Sequence, residues 1–429
     1  MGSRVKIVTA KKISAEPVLF YGFAGIAFFL PLFSPVSDLL TYVVFAVFIV
    51  THLSEPGTSR IRLRDARFSI LTGIALFLLT FFHLFTGTNK GAIVEQLDQY
   101  MAILIFPLSL AFFSSGESYP RRMQSILNFT LAGTIVTTLV LYAAAFLRFI
   151  ETHTAVEFYY IKLGNGLHPS YMSMLVVLAL AIVLDGWPAK KWINRNRKLV
   201  SPLLWIAAGW LIIFNTLLAS KAGIFVQTLV LLLFALKEIQ KKDFRRLIGL
   251  SAMLITSLVM IPFAFPFTFS RFVALEETLG NSLIRNEWVE KETTNSRLLG
   301  WDAAMDIIIE HPITGVGPEK VQHALKNSYE ENGLGYGNRN PHNQYLQTWL
   351  ELGLPGLIIL LMLAVIPGWY ALREKNYLHI AFLLIVFIHM LFESTLERRL
   401  GVMIFAFWSS LFWFYTHNQR KSKKTVITG

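Results

Sequence analysis

Hydrophobic residues along this chain fall into twelve runs separated by mostly short polar connectors. A helix needs about 20 mostly apolar residues to span a bilayer, and some of these runs reach that length only with tilt or a kink. The pattern therefore predicts an all-α, polytopic membrane helix bundle with about 12 transmembrane helices. The predicted spans are 17–34, 38–53, 68–86, 99–114, 124–149, 170–185, 200–219, 222–237, 247–268, 354–370, 377–393 and 401–416.

One long polar segment interrupts this alternation at residues 269–353. A loop of this length without internal structure is unusual in a compact protein, so we expect amphipathic helices inside it. The predicted organisation is nine spans in 1–268, one large helical loop in 269–353, and three spans with a basic tail in 354–429.

Composition agrees with a membrane protein and limits the chemistry. The chain is 54% hydrophobic and 15% charged, with a mean hydropathy of +0.52, which is too apolar for an ordinary soluble domain. It has no cysteine, and no His, Asp and Glu residues show metal-ligand spacing. We therefore expect no disulfide, no metal and no cofactor.

The net charge of +12 is best explained by the orientation of the spans. If the N-terminus is cytoplasmic, 26 of the 39 Lys and Arg residues fall on the cytoplasmic side, as the positive-inside rule requires. The long loop, in which acidic residues outnumber basic ones twelve to seven, then faces outward. The first run shows no small-residue cleavage site, so we expect it to be retained as a span. Both termini then lie in the cytoplasm. Because this orientation accounts for the basic residues, we expect membrane lipids and no nucleic acid as partners.

The first helix expected in the loop carries an arginine without an obvious structural role. Asn295 or Ser296 can cap a helix that has an apolar face and an acidic stripe. Arg297 would fall in its first turn, where the helix macrodipole disfavours a cation, and it is out of register with the stripe. Arg297 therefore either binds a ligand or is a solvated side chain without a specific role. The apolar positions are Leu298, Leu299, Trp301, Met305, Ile308 and Ile309, and the stripe is Asp302, Asp306 and Glu310.

The second half of the loop contains a histidine near a helix start. His311 and Pro312 end the first helix, glycines at 315 and 317 form a turn, and Pro318 can open a second helix. Asn340 and Pro341 are a further start signal and place His342 in a helical first turn. Free N–H groups there favour an anion such as phosphate, and a neutral imidazole beside it can act as a general base. The alternative is a histidine that only caps or packs.

Other polar residues open on the same predicted face. Lys221 lies in a tight Ser-Lys-Ala-Gly turn, where a charge near the hydrocarbon is costly unless it is paired, functional or extended to the interface. Further residues expected at the edge of the site are His168, Arg339, Asn343, Glu393 and Glu397.

The loop motifs resemble those of a known family. An arginine-led amphipathic helix ending in His-Pro-Ile-Thr-Gly-Val-Gly, then His-Asn-Gln-Tyr-Leu-Gln and Glu-Leu-Gly-Leu-Pro-Gly, is similar to the O-antigen ligase and O-antigen polymerase family of bacterial inner-membrane glycosyltransferases. The motifs cover about 295–356, and the family's twelve-span layout covers the whole chain. The resemblance implies transfer of a glycan from an undecaprenyl-diphosphate carrier to an acceptor at the periplasmic face, in lipopolysaccharide biosynthesis.

The resemblance also implies roles for three residues. Arg297 matches a loop arginine that contacts the donor diphosphate, and His342 matches a histidine implicated in acceptor activation. Lys221 stands where the family usually has an arginine, and lysine keeps the charge but loses the planar fork suited to phosphate oxygens. A metal-independent, inverting displacement follows, with cations stabilising the diphosphate leaving group.

Three alternatives remain open at this point. A ligase would transfer the glycan to lipid A core, whereas a polymerase would join carrier-linked units, and the motifs serve both, with the ligase preferred. Twelve spans also suit a lipid-linked glycan transporter or flippase, although such carriers commonly have repeated halves and midplane sites. The loop could instead be a docking surface without chemistry, and the oligomeric state is open.

Overall fold

The computed structural model describes residues 15–54, 67–87, 89–113, 119–186, 192–264, 293–331 and 340–428. All regular structure in these ranges is helical. The α-helices are α1 (Ala15–Leu32), α2 (Ser34–Ser54), α3 (Arg67–Thr86), α4 (Lys90–Phe113), α5 (Tyr119–Thr152), α6 (Tyr160–Gly164), α7 (Pro169–Leu184), α8 (Trp192–Leu217), α9 (Lys221–Lys241), α10 (Phe244–Ala264), α11 (Thr293–Glu310), α12 (Val321–Glu331), α13 (Gln344–Arg373), α14 (Tyr377–His389) and α15 (Arg399–Thr428).

The all-α, multi-span prediction is confirmed. Each of the twelve apolar runs coincides with a helix, namely α1–α5, α7–α10 and α13–α15. Among the described residues, eight of these helices (α1–α5, α9, α13 and α15) are long and apolar enough to cross a membrane by length and composition. Three shorter apolar stretches, Pro169–Leu184, Pro202–Leu217 and Tyr377–His389, accompany them. The chain is therefore a polytopic helical membrane protein.

A large apolar core joins the spanning helices. Its bulkiest fully buried side chains are aromatic, including Phe106, Phe407 and Trp408, whose rings pack edge to face. Such ring geometry adds to the free energy gained from buried area.

A buried polar chain also crosses this core. Ser173 of α7 donates to Asn215 of α8 at 2.6 Å, Asn215 donates to Gln227 of α9 at 3.0 Å, and Gln227 donates to Ser257 of α10 at 3.1 Å. Because buried polar groups are costly unless paired, these bonds fix the relative positions of four helices.

A second, smaller core lies beneath the loop helices. It unites α11, α12 and the start of α13 through Leu299, Ala304, Ile308, Leu325 and Leu350. The predicted apolar face of α11 is only partly correct, because Met305 and Ile309 are 38% and 70% exposed on the other side of the helix. The acidic stripe is exposed, as expected for a solvated face.

The two glycine-rich motifs dock on each other. The segment 311–317 lies across the start of α13, where Val316 N donates to Leu350 O at 2.7 Å and Leu354 N donates to Pro312 O at 3.0 Å. Gly353 interrupts α13 with φ 65° and ψ −165°, a conformation open essentially to glycine alone. A Cβ at Gly353 would clash with the Ile313 carbonyl, so this glycine permits both the kink and the close approach.

Replacing Gly353 with alanine is expected to destabilise the protein by at least about 2 kcal/mol, from backbone strain and the clash with Ile313. The measurement is the apparent melting temperature in detergent. Gly368→Ala is the matched control, because a Cβ there meets only Leu383 Cδ1 at 3.8 Å. Alanine favours a helix interior by up to about 1 kcal/mol, so the control should melt no lower than the parent. Equal melting of both variants would contradict the docking role of Gly353.

Several loop boundaries differ from expectation. The chain is already helical at Thr293, so Asn295 and Ser296 lie inside α11 and Arg297 is past the first residues of that helix. Pro318 lies in a turn, and α12 begins at Val321. The predicted edge residue Arg339 lies outside the described residues.

Candidate functional site

A single buried carboxylate joins the residues that the sequence analysis had selected from separate segments. Glu393 lies in the connector between α14 and α15, with its side chain 6% exposed. One oxygen, Oε1, accepts from Arg297 Nη2 at 2.9 Å and from Ser170 Oγ at 3.1 Å. The other, Oε2, lies 3.3 Å from His342 Nδ1. We call these four residues the Glu393 cluster.

Arg297 reaches the cluster because α11 is held against the chain that carries His342. Trp301, one helical turn beyond Arg297, donates its indole N–H to Pro341 O at 2.9 Å. Residues four apart lie on the same face of a helix, so Arg297 projects toward the same segment. Its guanidinium carries five N–H donors, and the bond to Glu393 engages only one of its two terminal nitrogens.

His342 sits just before α13 and not in its first turn, which corrects the expectation from Asn340 and Pro341. Its backbone has φ 47°, in the left-handed region. Asn343 is the N-cap of α13 instead, and its side chain accepts from Tyr345 N at 2.9 Å and Leu346 N at 3.2 Å. A capping asparagine explains the later start.

The backbone N–H of His342 donates to the Asn340 side chain at 3.1 Å. This bond and the Asn343 cap hold the imidazole beside Glu393, with the histidine side chain 38% exposed. His342 is therefore both fixed by the protein and open to a reaction partner.

The charge state of Glu393 follows from its neighbours. Burial raises the pKa of this carboxyl, but the hydrogen bond with His342 and the positive charge of Arg297 outweigh burial and lower its pKa to about 2. An ionised Glu393 can accept the Nδ1–H of His342 in the tautomer that carries its proton on Nδ1, and Nε2 is then the nitrogen open to accept a proton.

The start of α7 completes the site. Pro169 opens the helix directly after His168, which orients Ser170 toward Glu393. Desolvation lowers the pKa of His168, and the positive charges of Arg297 and Arg398 lower it further against the opposing effect of Glu393. His168 therefore lies within the electrostatic reach of the cluster, as its assignment to the edge of the site requires.

Lys221 begins α9 at the same end of the bundle. Ser220 caps the helix by accepting from Gly223 N at 3.2 Å, and a Cβ on Gly223 would clash with Ser173 of α7. The first turn of α9 therefore packs directly on the first turn of α7, whose Ser170 binds Glu393. Within the described residues, this packing of α9 on α7 is what relates Lys221 to the cluster, and its binding role stays a prediction.

The remaining edge residues separate into different roles. Asn343 is a helix cap, as described above. Glu397 interacts electrostatically with Glu351 of α13, so its neighbours differ from those of the Glu393 cluster. The sequence analysis placed Glu393 at the edge of the site and did not select Ser170. The one feature of the sequence that pointed to Glu393 is its position as an acid in a short connector between two apolar runs.

Comparison with known proteins gives a family match and a relative. A family model described as O-antigen ligase matches residues 206–361. That range contains Lys221, Arg297 and His342, whereas Glu393 and Ser170 lie outside it. An uncharacterized protein of Haemophilus influenzae is 26% identical over 321 residues, which is 72% of this chain and 73% of the relative. Residues 206–361 are therefore similar to the O-antigen ligase family, and this match supports glycan transfer of the ligase or polymerase type.

Proposed function

We propose that this protein transfers a glycan from an undecaprenyl-diphosphate carrier to an acceptor sugar at the periplasmic face of the bacterial inner membrane, as an O-antigen ligase acting on lipid A core. The observation that carries the proposal is the shared carboxylate of Glu393, which brings a cation at Arg297 and a base at His342 to one place. Arg297 and His342 thus lie within reach of one substrate. A loop that served only as a docking surface would not need these two side chains to lie close together.

The negative charge of the leaving group determines what the cations have to stabilise. When the anomeric C–O bond breaks, negative charge collects on the lipid diphosphate, and a positioned cation stabilises it most where water is excluded. The remaining N–H donors of Arg297 suit two phosphate oxygens at once. Lys221, at the adjoining start of α9, supplies a second positive charge without the bidentate geometry. The charge is then neutralised by the chain itself, without a metal ion.

The acceptor hydroxyl loses its proton as it attacks. His342 Nε2 takes that proton, and ionised Glu393 on Nδ1 stabilises the imidazolium that results, in the manner of a carboxylate-oriented histidine base. The new glycosidic bond forms on the face opposite the departing diphosphate, so a single displacement inverts the anomeric carbon.

The location follows from the distribution of charge in the sequence. The positive-inside rule puts both termini in the cytoplasm and the Glu393 cluster on the opposite, periplasmic side. A lipid-linked donor can then approach between helices from the bilayer while its sugars extend into water.

A lipopolysaccharide gel of a deletion strain tests the assignment. The ligase proposal predicts uncapped core together with accumulated carrier-linked polymer, both reversed by the wild-type gene. Core bearing single repeat units would indicate a polymerase instead. An unchanged gel would contradict both assignments, and carrier translocation by purified protein in vesicles would then favour a flippase.

A further inference from the structure

Two large apolar side chains are uncovered where α11 ends. Among the described residues, Ile309 in the last turn of α11 is 70% exposed, and Ile313 in the turn that follows is 67% exposed. We call residues 309–313 the α11 corner. An exposed apolar patch outside the spans marks a surface that binds either another protein or lipid. Which of the two it binds depends on where the corner lies relative to the bilayer.

The apolar half of α13 marks the edge of the hydrocarbon layer on the side of the loop. Residues 352–372 carry no charge, and Arg373 ends the helix. From Leu354 to Arg373 the helix rises about 30 Å, at about 1.5 Å per residue, which is the thickness of the hydrocarbon core of a typical bilayer. Exposed apolar side chains recur along this stretch at helical spacing, as on a helix face that contacts lipid. They are Leu354, Ile358, Leu361, Val365 and Trp369. Leu354 therefore lies where α13 enters the hydrocarbon.

The α11 corner is hydrogen-bonded to this boundary. Pro312 O accepts from Leu354 N at 3.0 Å and from the indole N–H of Trp349 at 2.8 Å. A Cβ on Gly353 would lie 2.0 Å from Ile313 O, so the backbone of Ile313 touches the kink of α13. A tryptophan whose ring packs among apolar groups while its N–H finds a polar partner is typical of the membrane interface. The corner thus lies at the level at which α13 enters the lipid.

We propose that the α11 corner is a membrane anchor, in which Ile309 and Ile313 insert into the lipid layer on the side of the loop. Lipid is the partner because the apolar surface of the corner continues into the exposed stripe of α13, which begins at Leu354. The inference concerns a contact with lipid and does not depend on the proposed function.

The charges of α11 agree with a helix that lies at a bilayer surface. The acidic stripe of α11 is exposed, and Ile309 lies beside it on the exposed side of the helix. At 3.6 residues per turn, Ile309 is about 60° around the helix axis from Asp306. The helix can therefore turn Ile309 toward lipid while the acids stay in water, as interfacial amphipathic helices do. The anchor then fixes one end of the helix that carries Arg297.

Spin labels on single cysteines test the anchor. The chain has no cysteine, so a cysteine introduced as Ile309→Cys or Ile313→Cys carries the label alone. The labelled full chain is placed in nanodiscs of phosphatidylethanolamine and phosphatidylglycerol. Collisions of the label are measured with oxygen, which concentrates in hydrocarbon, and with a water-soluble nickel chelate. Asp306→Cys, exposed on the same helix, is the matched control for water, and Ile358→Cys on the exposed stripe of α13 is the reference for lipid.

The oxygen-to-nickel collision ratio should be about fivefold or more higher at both isoleucine positions than at Asp306→Cys, because hydrocarbon excludes water and the chelate with it. It should approach the ratio at Ile358→Cys. Ratios equal to that of Asp306→Cys at both positions would put the corner in water and overturn the anchor. Slow collisions with both agents would show a protein cover, from a second copy or another part of the chain, and would also overturn it. Each outcome is read without measuring glycan transfer.

Discussion

Glu393→Gln is expected to lower the rate of glycan transfer about a hundredfold or more, the largest effect of any single substitution outside the residues that contact substrate. Glutamine fills the same space but removes the charge that pairs with Arg297 and directs the Nδ1–H of His342. Loss of a carboxylate that orients a catalytic histidine costs about 10⁴-fold in the serine-protease case, where the histidine takes the wrong tautomer. The rate is measured with purified protein and a carrier-linked donor.

The matched control is Glu310→Gln, at the exposed end of α11, which should keep the parent rate. A pH titration of stability adds a second readout. Because the pKa of Glu393 is lowered to about 2, its contribution is complete above the ordinary carboxyl pKa of 4.5 and is lost as pH falls toward 2. The variant should therefore lose less stability than wild type on acidification. Full transfer by Glu393→Gln would contradict the role of the cluster.

His342→Ala is expected to reduce transfer by about 10² to 10⁴, the usual contribution of a positioned general base. Binding of the carrier-linked donor should change little, because the diphosphate is assigned to Arg297 and Lys221. This combination of lost rate and retained binding separates a base from a residue that only supports the fold. Rate and donor affinity are measured on the same preparation.

His323→Ala, on the exposed side of α12, is the control for the loss of an imidazole and should match the parent. If His342→Ala weakened donor binding in proportion to its rate, the histidine would be a ligand of the diphosphate. If its rate were unchanged, another group would have to take the acceptor proton.

The hydrophobic runs predicted the helices because each run is long, strongly apolar and bounded by charges. Boundaries were less predictable where a cap competes with a proline signal. Pro341 suggested a helix start, but the Asn343 side chain satisfies the first free N–H groups of α13 and moves the start to Gln344. His342 therefore lies before α13 and not in its first turn.

Arg297 and His342 could be selected from the sequence because a misplaced cation and a histidine near a helix start stand out locally. Glu393 could not be ranked in the same way, because its importance comes from contacts across 96 and 51 positions of chain. Ser170 is likewise indistinguishable from any other serine at a helix start until α7 is placed beside the connector. Local pattern identifies chemical groups, and tertiary packing decides which of them meet.

The most direct test of the central claim is transfer of a labelled glycan from a purified carrier-linked donor to lipid A core by purified protein in detergent. The account predicts transfer by wild type, and loss of transfer together with weakened donor binding in Arg297→Ala. Wild-type protein that binds the donor but transfers nothing, or an Arg297→Ala variant that transfers at the parent rate, would contradict it.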